Sequence, residues 1–495
     1  MLTGILRVAS SEELDKLHNG VLHVLENLGL KLNSPTLLTA LGDRGCEVDL
    51  GAGTVKFKPE TVEAEIARQS GRYKMVRSSL WFPFCTEEKP DTVSWPDTFG
   101  CDYGYATPSI YDYEADLTRE PTAKDQVDMI RLGDALEGVG AVNAPFILKE
   151  FDSRIEVLES ARMLMNHTSK PGWVGTYSAK QLEYLGQIAE IAVDGDEQAL
   201  KTKPPIIVTV MCTTSPMRVD NRSSDVLESA IHKGYPINFS TMPILGATAP
   251  VTPAGAAIVG AAECLGGVVA SSLINPEPFY YTASITSELD MRTTQICFST
   301  PAALLTDALI HQLFRFKYGI VHNVEPAYIE AKKPGIQASY LKMFRLMAQA
   351  MTVSLPLPLG LLDNGSVFSP AQTIIDYDMN EAIYRFARGA DINDDTMALE
   401  AILDMKFAEN ATYLDQEHTI THFRDALWDT KVFDRGAGSG TDKSPGEWDK
   451  ELLDRAENKW KDLVANAPEY ELDAAKKREV DRIVEAGIKD ILSMK

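Results

Sequence analysis

The chain has 495 residues, 44% hydrophobic and 24% charged, the balance of an ordinary globular protein. That length implies two or three structural units. The formal net charge of −23 argues against nucleic acid and anionic membrane surfaces as partners, because neutralising phosphates takes a basic surface.

Residues 11–29 place Leu14, Leu17, Val21, Leu22, Leu25 and Leu28 on one stripe of an amphipathic helix. "CEVDLGAGTVKFKPETVEAEIARQ" then reads as a hairpin turned at Gly51 and Gly53, followed by a short helix after Pro59. With the aromatic, Pro-rich stretch around 81–100, this makes residues 1–100 an α+β region. The N-terminus "MLTGILRVASSEELDKL" lacks the long apolar run and small-residue cleavage site of a secretory signal. The six cysteines, at 46, 85, 101, 212, 264 and 297, form no CxxC pair and read as reduced thiols. A cytoplasmic location is expected.

From about residue 104, short apolar runs alternate with helical segments, as parallel strands require. The strands are "ATPSIYDY", "GAVNAPFI", "GWVGT", "PIIVTVM", "PINFST", "PFYYTAS", "GIVHNV" and "LPLGLL". The helices fall near 122–137, 152–168, 179–194, 220–233, 252–272, 297–317, 336–352 and 370–388, with Thr122 and Asp125 spaced as a capping box. Eight such units over residues 101–390 make an α/β fold of the (β/α)8 (TIM) barrel type the expected architecture. An open doubly wound sheet is the alternative, but no GxGxxG or GxxxxGK[ST] turn follows any strand. "PAGAAIVGAAECLGGVVASSLI" is long enough to span a membrane. It carries Glu263 and is dominated by Gly and Ala, so it reads as a helix packed closely on a sheet. Residues 391–495 are helical and charged, broken by "DRGAGSGTDKSPGEW", and the last stretch reads as a solvated cap or a contact between copies of a homo-oligomer.

His418 and His422 stand four apart in "LDQEHTITHFRDALW", but Thr419 occupies the position where a metalloprotease carries its glutamate. A hydrogen bond across a helix interface accounts for the pair, and no cysteine spacing suggests zinc. No bound metal is therefore expected.

In a barrel, reactive groups gather where strands end and βα loops begin. Those positions hold Tyr103, Tyr105, Asn143, Trp173, Met211, Cys212, Tyr281, Thr282 and Ser284, then His322, Asn323, Glu325, Asp363, Asn364 and Phe368. They are rich in rings, amides and hydroxyls and poor in lysine and arginine. Ring faces attract a cation that donates no hydrogen bond, such as a quaternary ammonium group, though rings at strand ends also fill a barrel's upper layer. The loop "TMPILGATAPVTPAG" fixes a backbone path into a long helix, and its exposed amides could hold a carboxylate or leave room for a flat partner cofactor.

Three stretches, "NFSTMPILGATAPVTPAGAAIVGAAECLGG", "QASYLKMFRLMAQA" with "GLLDNGSVFSPAQTIIDYDMNEAI", and "HTITHFRDALWDTKVFDR", resemble the trimethylamine methyltransferase superfamily. The resemblance implies a (β/α)8 protein that moves a methyl group from an amine to the cobalt of cob(I)alamin on a separate corrinoid protein. The archetype carries pyrrolysine at its barrel mouth, whereas "VEPAYIEAKKPGIQAS" runs through that region without it. Members without pyrrolysine include demethylases of glycine betaine, proline betaine, carnitine and γ-butyrobetaine, and the chain looks most similar to those acting on glycine betaine. A quaternary amine already has a neutral leaving group, so orienting one N–CH3 bond and excluding water suffices. On this basis cation contact is assigned to Tyr103, Tyr105, Trp173, Tyr281 and Phe368. Carboxylate contact is assigned to Asn143, His322, Asn323 and the amides near Gly246 and Ala247, and longer-range charge complementarity to Glu325 and Asp363.

Overall fold

The computed structural model of the chain describes residues 6–72, 101, 103–202, 204–219, 221–325, 328–352, 358–406, 412–435 and 445–494. Its first helix, Ser11–Asn27, starts at a capping box in which Ser10 Oγ accepts from the Glu13 N–H (3.3 Å) and Glu13 Oε2 from the Ser10 N–H (2.8 Å). Leu14, Leu17, Val21 and Leu25 are buried, whereas Leu28, just past the helix end, is 59% exposed. This helix crosses Pro253–Ile274, and the closeness of the crossing depends on small residues. A Cβ at Gly20 would lie 2.7 Å from Ile258 Cδ1, and one at Gly266 3.0 Å from Leu25 Cδ2. The hairpin pairs Glu47–Asp49 with Thr54–Lys56 around a turn in which Gly53 has φ +69.

The central strands run parallel in chain order. Segment 101–107 bridges to 139–146 at Cys101–Val139 and Thr107–Phe146, and Val142 bridges to Pro171. Trp173–Val174 then pairs with Ile206–Ile207, whose strand continues through Val210–Thr214 to Ile237–Thr241, Tyr280–Ser284 and His322–Val324. Each of these segments is followed by a helix, including Ala123–Ala135, Glu156–His167, Ala179–Ala192 and Pro301–Gln312. The eighth segment, Leu361–Leu362, pairs antiparallel with Val367–Phe368, which lies parallel to Ser109–Asp112. The ladders among the described residues thus draw an α/β sheet of seven consecutive parallel segments, and no closed ring of eight.

The first strand also begins earlier than "ATPSIYDY" predicts. Ala106 has φ 50 and Pro108 follows, so the parallel segment stops at Thr107, and Ser109–Asp112 folds back on Leu117–Arg119 as a hairpin. The apolar Pro253–Ile274 helix is long and apolar enough to cross a membrane, yet most of it is buried in the protein against the sheet. The final helices are solvated on one face only. Pro445–Asn466 packs on Pro370–Arg388 and Ala123–Ala135, and Ala474–Ser493 buries Val480, Ile483, Val484 and Ile491 against Glu156–His167 and Ala179–Ala192. Each lays one apolar stripe over the helical layer.

Candidate active site

Side chains of a strand alternate between its two faces, and the register of the parallel strands sorts the inward residues into rows. Val210, Asn238 and Tyr281 form one row, and Cys212, Ser240, Ala283 and Asn323 the next. Met242, Ile285 and Glu325 continue the same inward phase toward the carboxyl ends. A (β/α)8 interior is ordinarily filled by large branched side chains. Here the middle row consists of Cys, Ser, Ala and Asn, which leave the axis unfilled. The result is a continuous hollow of about 1790 Å³ that runs past all these rows.

At the amino ends of the strands the hollow is walled by the Glu137–Ala141 turn and by Tyr377, Glu381 and Tyr384 of the Pro370–Arg388 helix. The segment after that helix borders the rest. Buried Asp378 accepts hydrogen bonds from Thr430 Oγ1 and from the N–H groups of Lys431 (3.0 Å) and Val432 (3.1 Å), which seats Trp428 and Lys431 against the opening. The "HTITHFRDALWDTKVFDR" stretch therefore builds the floor of the hollow. His418 and His422 lie with ring centroids 4.5 Å apart, and His422 Nε2 meets Asp395 Oδ2 at 3.3 Å across to the Asp394–Met397 helix. Among the described residues, no three His, Cys, Asp or Glu side chains stand together as a metal site. Cys46, Cys101, Cys212, Cys264 and Cys297 are free thiols.

Of the twelve residues singled out from the sequence, Tyr105, Asn143, Trp173, Tyr281, Asn323 and Glu325 line the hollow. Asn143 is clamped across three strands: its Nδ2 donates to the Gly104 carbonyl (3.3 Å) and its Oδ1 accepts from the Trp173 N–H (3.1 Å). Gly104 and Gly172 permit this approach, since a Cβ on either would fall within 2.2 Å of Asn143. Burial, with the Glu325 charge adding to it and an Asn238 hydrogen bond opposing it, pushes the Tyr281 phenol up to about 12, so it stays a neutral donor.

The other six lie elsewhere. Tyr103 is fully buried on the outer face, its hydroxyl donating to the Met129 carbonyl (2.7 Å) and its ring edge-on to Phe368, which itself packs on Phe146. The Gly246 and Ala247 N–H groups close their own turn on the carbonyls of Ala249 and Ile244, both at 3.0 Å, so neither is offered to a ligand. Asp363 is ion-paired with Lys332 outside the hollow. His322 has the phase opposite to Asn323: Nδ1 bonds Thr282 Oγ1 (2.8 Å), Nε2 bonds Ser284 Oγ (3.2 Å), and the ring stacks on Phe314.

Burial holds His322 well below 6.5, with the charge of His311 adding to it. Burial also lowers His311, whose Nδ1 bonds the His322 carbonyl, to about 3. Below about pH 6.5 the unfolded chain protonates both while the fold does not. Stability is then lost as pH falls, by up to about 1.4 kcal/mol per pH unit for each histidine. Urea midpoints should decline from about pH 6.5 to 4.5, and His322→Gln should flatten that decline.

Sequence reasoning missed Asn238, Ser240, Tyr328, Tyr377, Glu381, Tyr384 and Trp428, all in the wall. The first two were signalled by the small and polar residues at every second position of "INFST", the helical ones by the stripe 377, 381, 384. The wall is acidic as well as aromatic: Glu325 stands toward the carboxyl ends, and Glu137, Glu381, Asp391 and Asp425 near the floor, against Arg385 and Lys431.

Residues 3–487 match the family model described as trimethylamine methyltransferase (MTTB). Similar proteins include trimethylamine methyltransferase MttB of Desulfitobacterium hafniense (strain DSM 10664 / DCB-2), 27% identical over 417 residues, covering 84% of this chain and 81% of that protein. Another is MttB of Methanosarcina barkeri (strain Fusaro / DSM 804), 24% identical over 499 residues, covering 100% and 98%. Glycine betaine methyltransferase of Desulfitobacterium hafniense (strain Y51) is 23% identical over 468 residues, covering 93% and 92%. The crystal structure of Methanosarcina barkeri monomethylamine methyltransferase (MtmB) superposes with a TM-score of 0.50 at 12% identity, covering 93% of this chain and 89% of that one, a likeness of fold. The family match runs almost end to end, and so the chain belongs to the trimethylamine methyltransferase family and is, with it, a methyltransferase.

Proposed function

We propose that the chain takes a methyl group from a quaternary amine, glycine betaine in the reading favoured by resemblance, and passes it to the reduced corrinoid of a partner protein. The observation that carries this is the character of the hollow: the rings of Tyr105, Trp173, Tyr281 and Tyr328 share it with the Glu325 carboxylate, while the basic side chains that line it among the described residues, Arg385 and Lys431, stand near the floor and buried Arg345 lies behind Glu325, donating to its carbonyl. Ring faces hold a cation without calling on hydrogen bonds from it, and the carboxylate adds charge complementarity. The betaine carboxylate would be met by neutral donors, the amides of Asn238 and Asn323 and the hydroxyls of Ser240 and Tyr281. Asn238 Oδ1 is buried without a partner among the described residues. With the amide turned over and the Tyr281 hydroxyl donating to that oxygen, its N–H groups would point into the hollow.

The same reading takes Leu361–Leu362 as the eighth strand of a closed (β/α)8 barrel, residues 101–390 as the catalytic unit, and the protein as a cytoplasmic homo-oligomer. The methyl acceptor is a second substrate: reduced corrinoid supplies the cobalt nucleophile. Apolar Met242 and Ile285 in the upper wall, above Cys212, would meet the flat face of that group. This chain's own residues hold the ammonium, aim one N–CH3 bond and shed water.

The test is a panel of glycine betaine, proline betaine, carnitine and γ-butyrobetaine with cob(I)alamin, followed by the methylcobalamin spectrum. Methylation from glycine betaine is expected, and none from any of the four would overturn the reading. In the productive assay, Glu325→Gln should raise KM about tenfold, equivalent to about 1.4 kcal/mol of binding. It should leave kcat unlowered, because the positive charge it faces is being lost in the transition state. A fall in kcat at unchanged KM would remove Glu325 from the cation site.

A further inference from the structure

We infer that the hollow has a working mouth at the amino ends of the strands, and that small organic cations, zwitterions among them, enter and leave the site there. The inference deepens the proposed methyl transfer and rests on it for its purpose: an amine beneath a partner's bulky cofactor needs a way in that the partner does not cover. The route itself stands on geometry. Glu137, Ala390, Asp391, Asp425 and Ala426 line the hollow and are exposed to solvent, so among the described residues the cavity opens at this end.

From that opening inward, the path passes Glu381, Tyr377 and Tyr384, then the row of Val210, Asn238 and Tyr281, then the small residues of the middle row. Carboxylates set around a low-dielectric opening concentrate cations there, and rings further in keep a desolvated ammonium favourable. Two buried polar atoms along the path have no partner among the described residues, the Trp428 indole N–H near the mouth and Oδ1 of Asn238, a residue 7% exposed. Arg385, ion-paired with Glu381 (3.2 Å), and Lys431 also stand in the wall, so the acidic groups there outnumber the basic ones.

Cys212, exposed within the hollow two rows above the floor, is a reporter that needs neither corrinoid nor turnover. Trimethylammonioethyl methanethiosulfonate converts a thiol to a mixed disulfide and releases methanesulfinate, and its anionic sulfonatoethyl counterpart does the same. Peptide mass mapping follows Cys212 apart from the other thiols. Cationic labelling of Cys212 should be faster than anionic labelling by about tenfold or more, and Glu381→Gln with Asp425→Asn should erase most of that preference. Ala426→Trp or Ala390→Trp, both at exposed positions, should slow cationic labelling by about tenfold by narrowing the mouth, while labelling of half-buried Cys297 reports an intact fold. Cys212 labelling that ignores both tryptophans, or slows only in Met242→Trp at the opposite end, overturns the proposal. If no amine supports methyl transfer yet the labelling behaves as stated, the mouth stands and the methyl-transfer reading falls.

Discussion

Glu263→Ala should destabilise the protein by about 3–5 kcal/mol. Glu263 is fully buried midway along Pro253–Ile274, a helix apolar enough to cross a membrane. Its carboxylate accepts from Thr213 Oγ1 (2.7 Å), Ser215 Oγ (2.9 Å), the Met217 N–H (2.8 Å) and Thr241 Oγ1. One side chain thus ties the helix to the ends of two adjacent parallel strands and to the turn beyond the first. Truncation takes this acceptor from the Thr241 and half-buried Ser215 hydroxyls and the Met217 N–H, leaves Thr213 Oγ1 only the Ser240 carbonyl (3.2 Å), and opens a cavity in their midst, and each term costs about 1–3 kcal/mol. Glu263→Gln keeps the shape but offers an NH2 group where an acceptor stood, so an intermediate loss of about 2 kcal/mol is expected. Urea unfolding of the three proteins decides the matter, and a loss below about 1 kcal/mol in the alanine variant would mean that water replaces the carboxylate freely. Cys212 and Met242, neighbours of Thr213 and Thr241, line the hollow, so the same variant should also bind amines more weakly.

The order of elements was legible in the sequence because the alternation of short apolar runs with capped helices is a local signal. Thr122 and Asp125 do form their capping box, and the strands of "PINFST" and "PFYYTAS" lie where their runs place them. The face of each strand was less legible. Tyr103 and Tyr105 differ by two residues, yet only Tyr105 lines the hollow, because Gly104 at φ +88 breaks the regular alternation between them. His322 and Asn323 differ by one residue, which is enough to send one into the helical layer and the other into the hollow. The small middle row was written in plain sight as Cys212, Ser240 and Ala283, but its meaning depends on three strands standing in register, which no single segment discloses. The floor was the least legible part. Its "HTITHFRDALWDTKVFDR" stretch reaches the amino ends of the strands only because Asp378, about fifty residues earlier, binds the Thr430–Val432 backbone.

Ala283→Phe should abolish function without harming the fold. Ala283 is the smallest member of the middle row, between Ser240 and Asn323 in register, and its Cβ faces the hollow. A larger side chain in a packed core usually costs about 1–3 kcal/mol because neighbours must shift. Here the ring would extend into vacant space along the axis, so the thermal midpoint should stay within a few degrees of wild type. The same ring would stand between Asn238 and Tyr281 below and Glu325 above, the groups proposed to hold the two ends of a betaine. Loss of either end's contacts forfeits several hydrogen bonds and ring contacts together, and kcat/KM for the amine should fall by at least about a hundredfold. Ala283→Ser, which keeps the waist open, serves as the control and should stay within about threefold of wild type. A near-normal kcat/KM in the phenylalanine variant would mean that the amine reacts somewhere other than this hollow. In that case the unfilled row of Cys212, Ser240, Ala283 and Asn323 would need a different physical explanation.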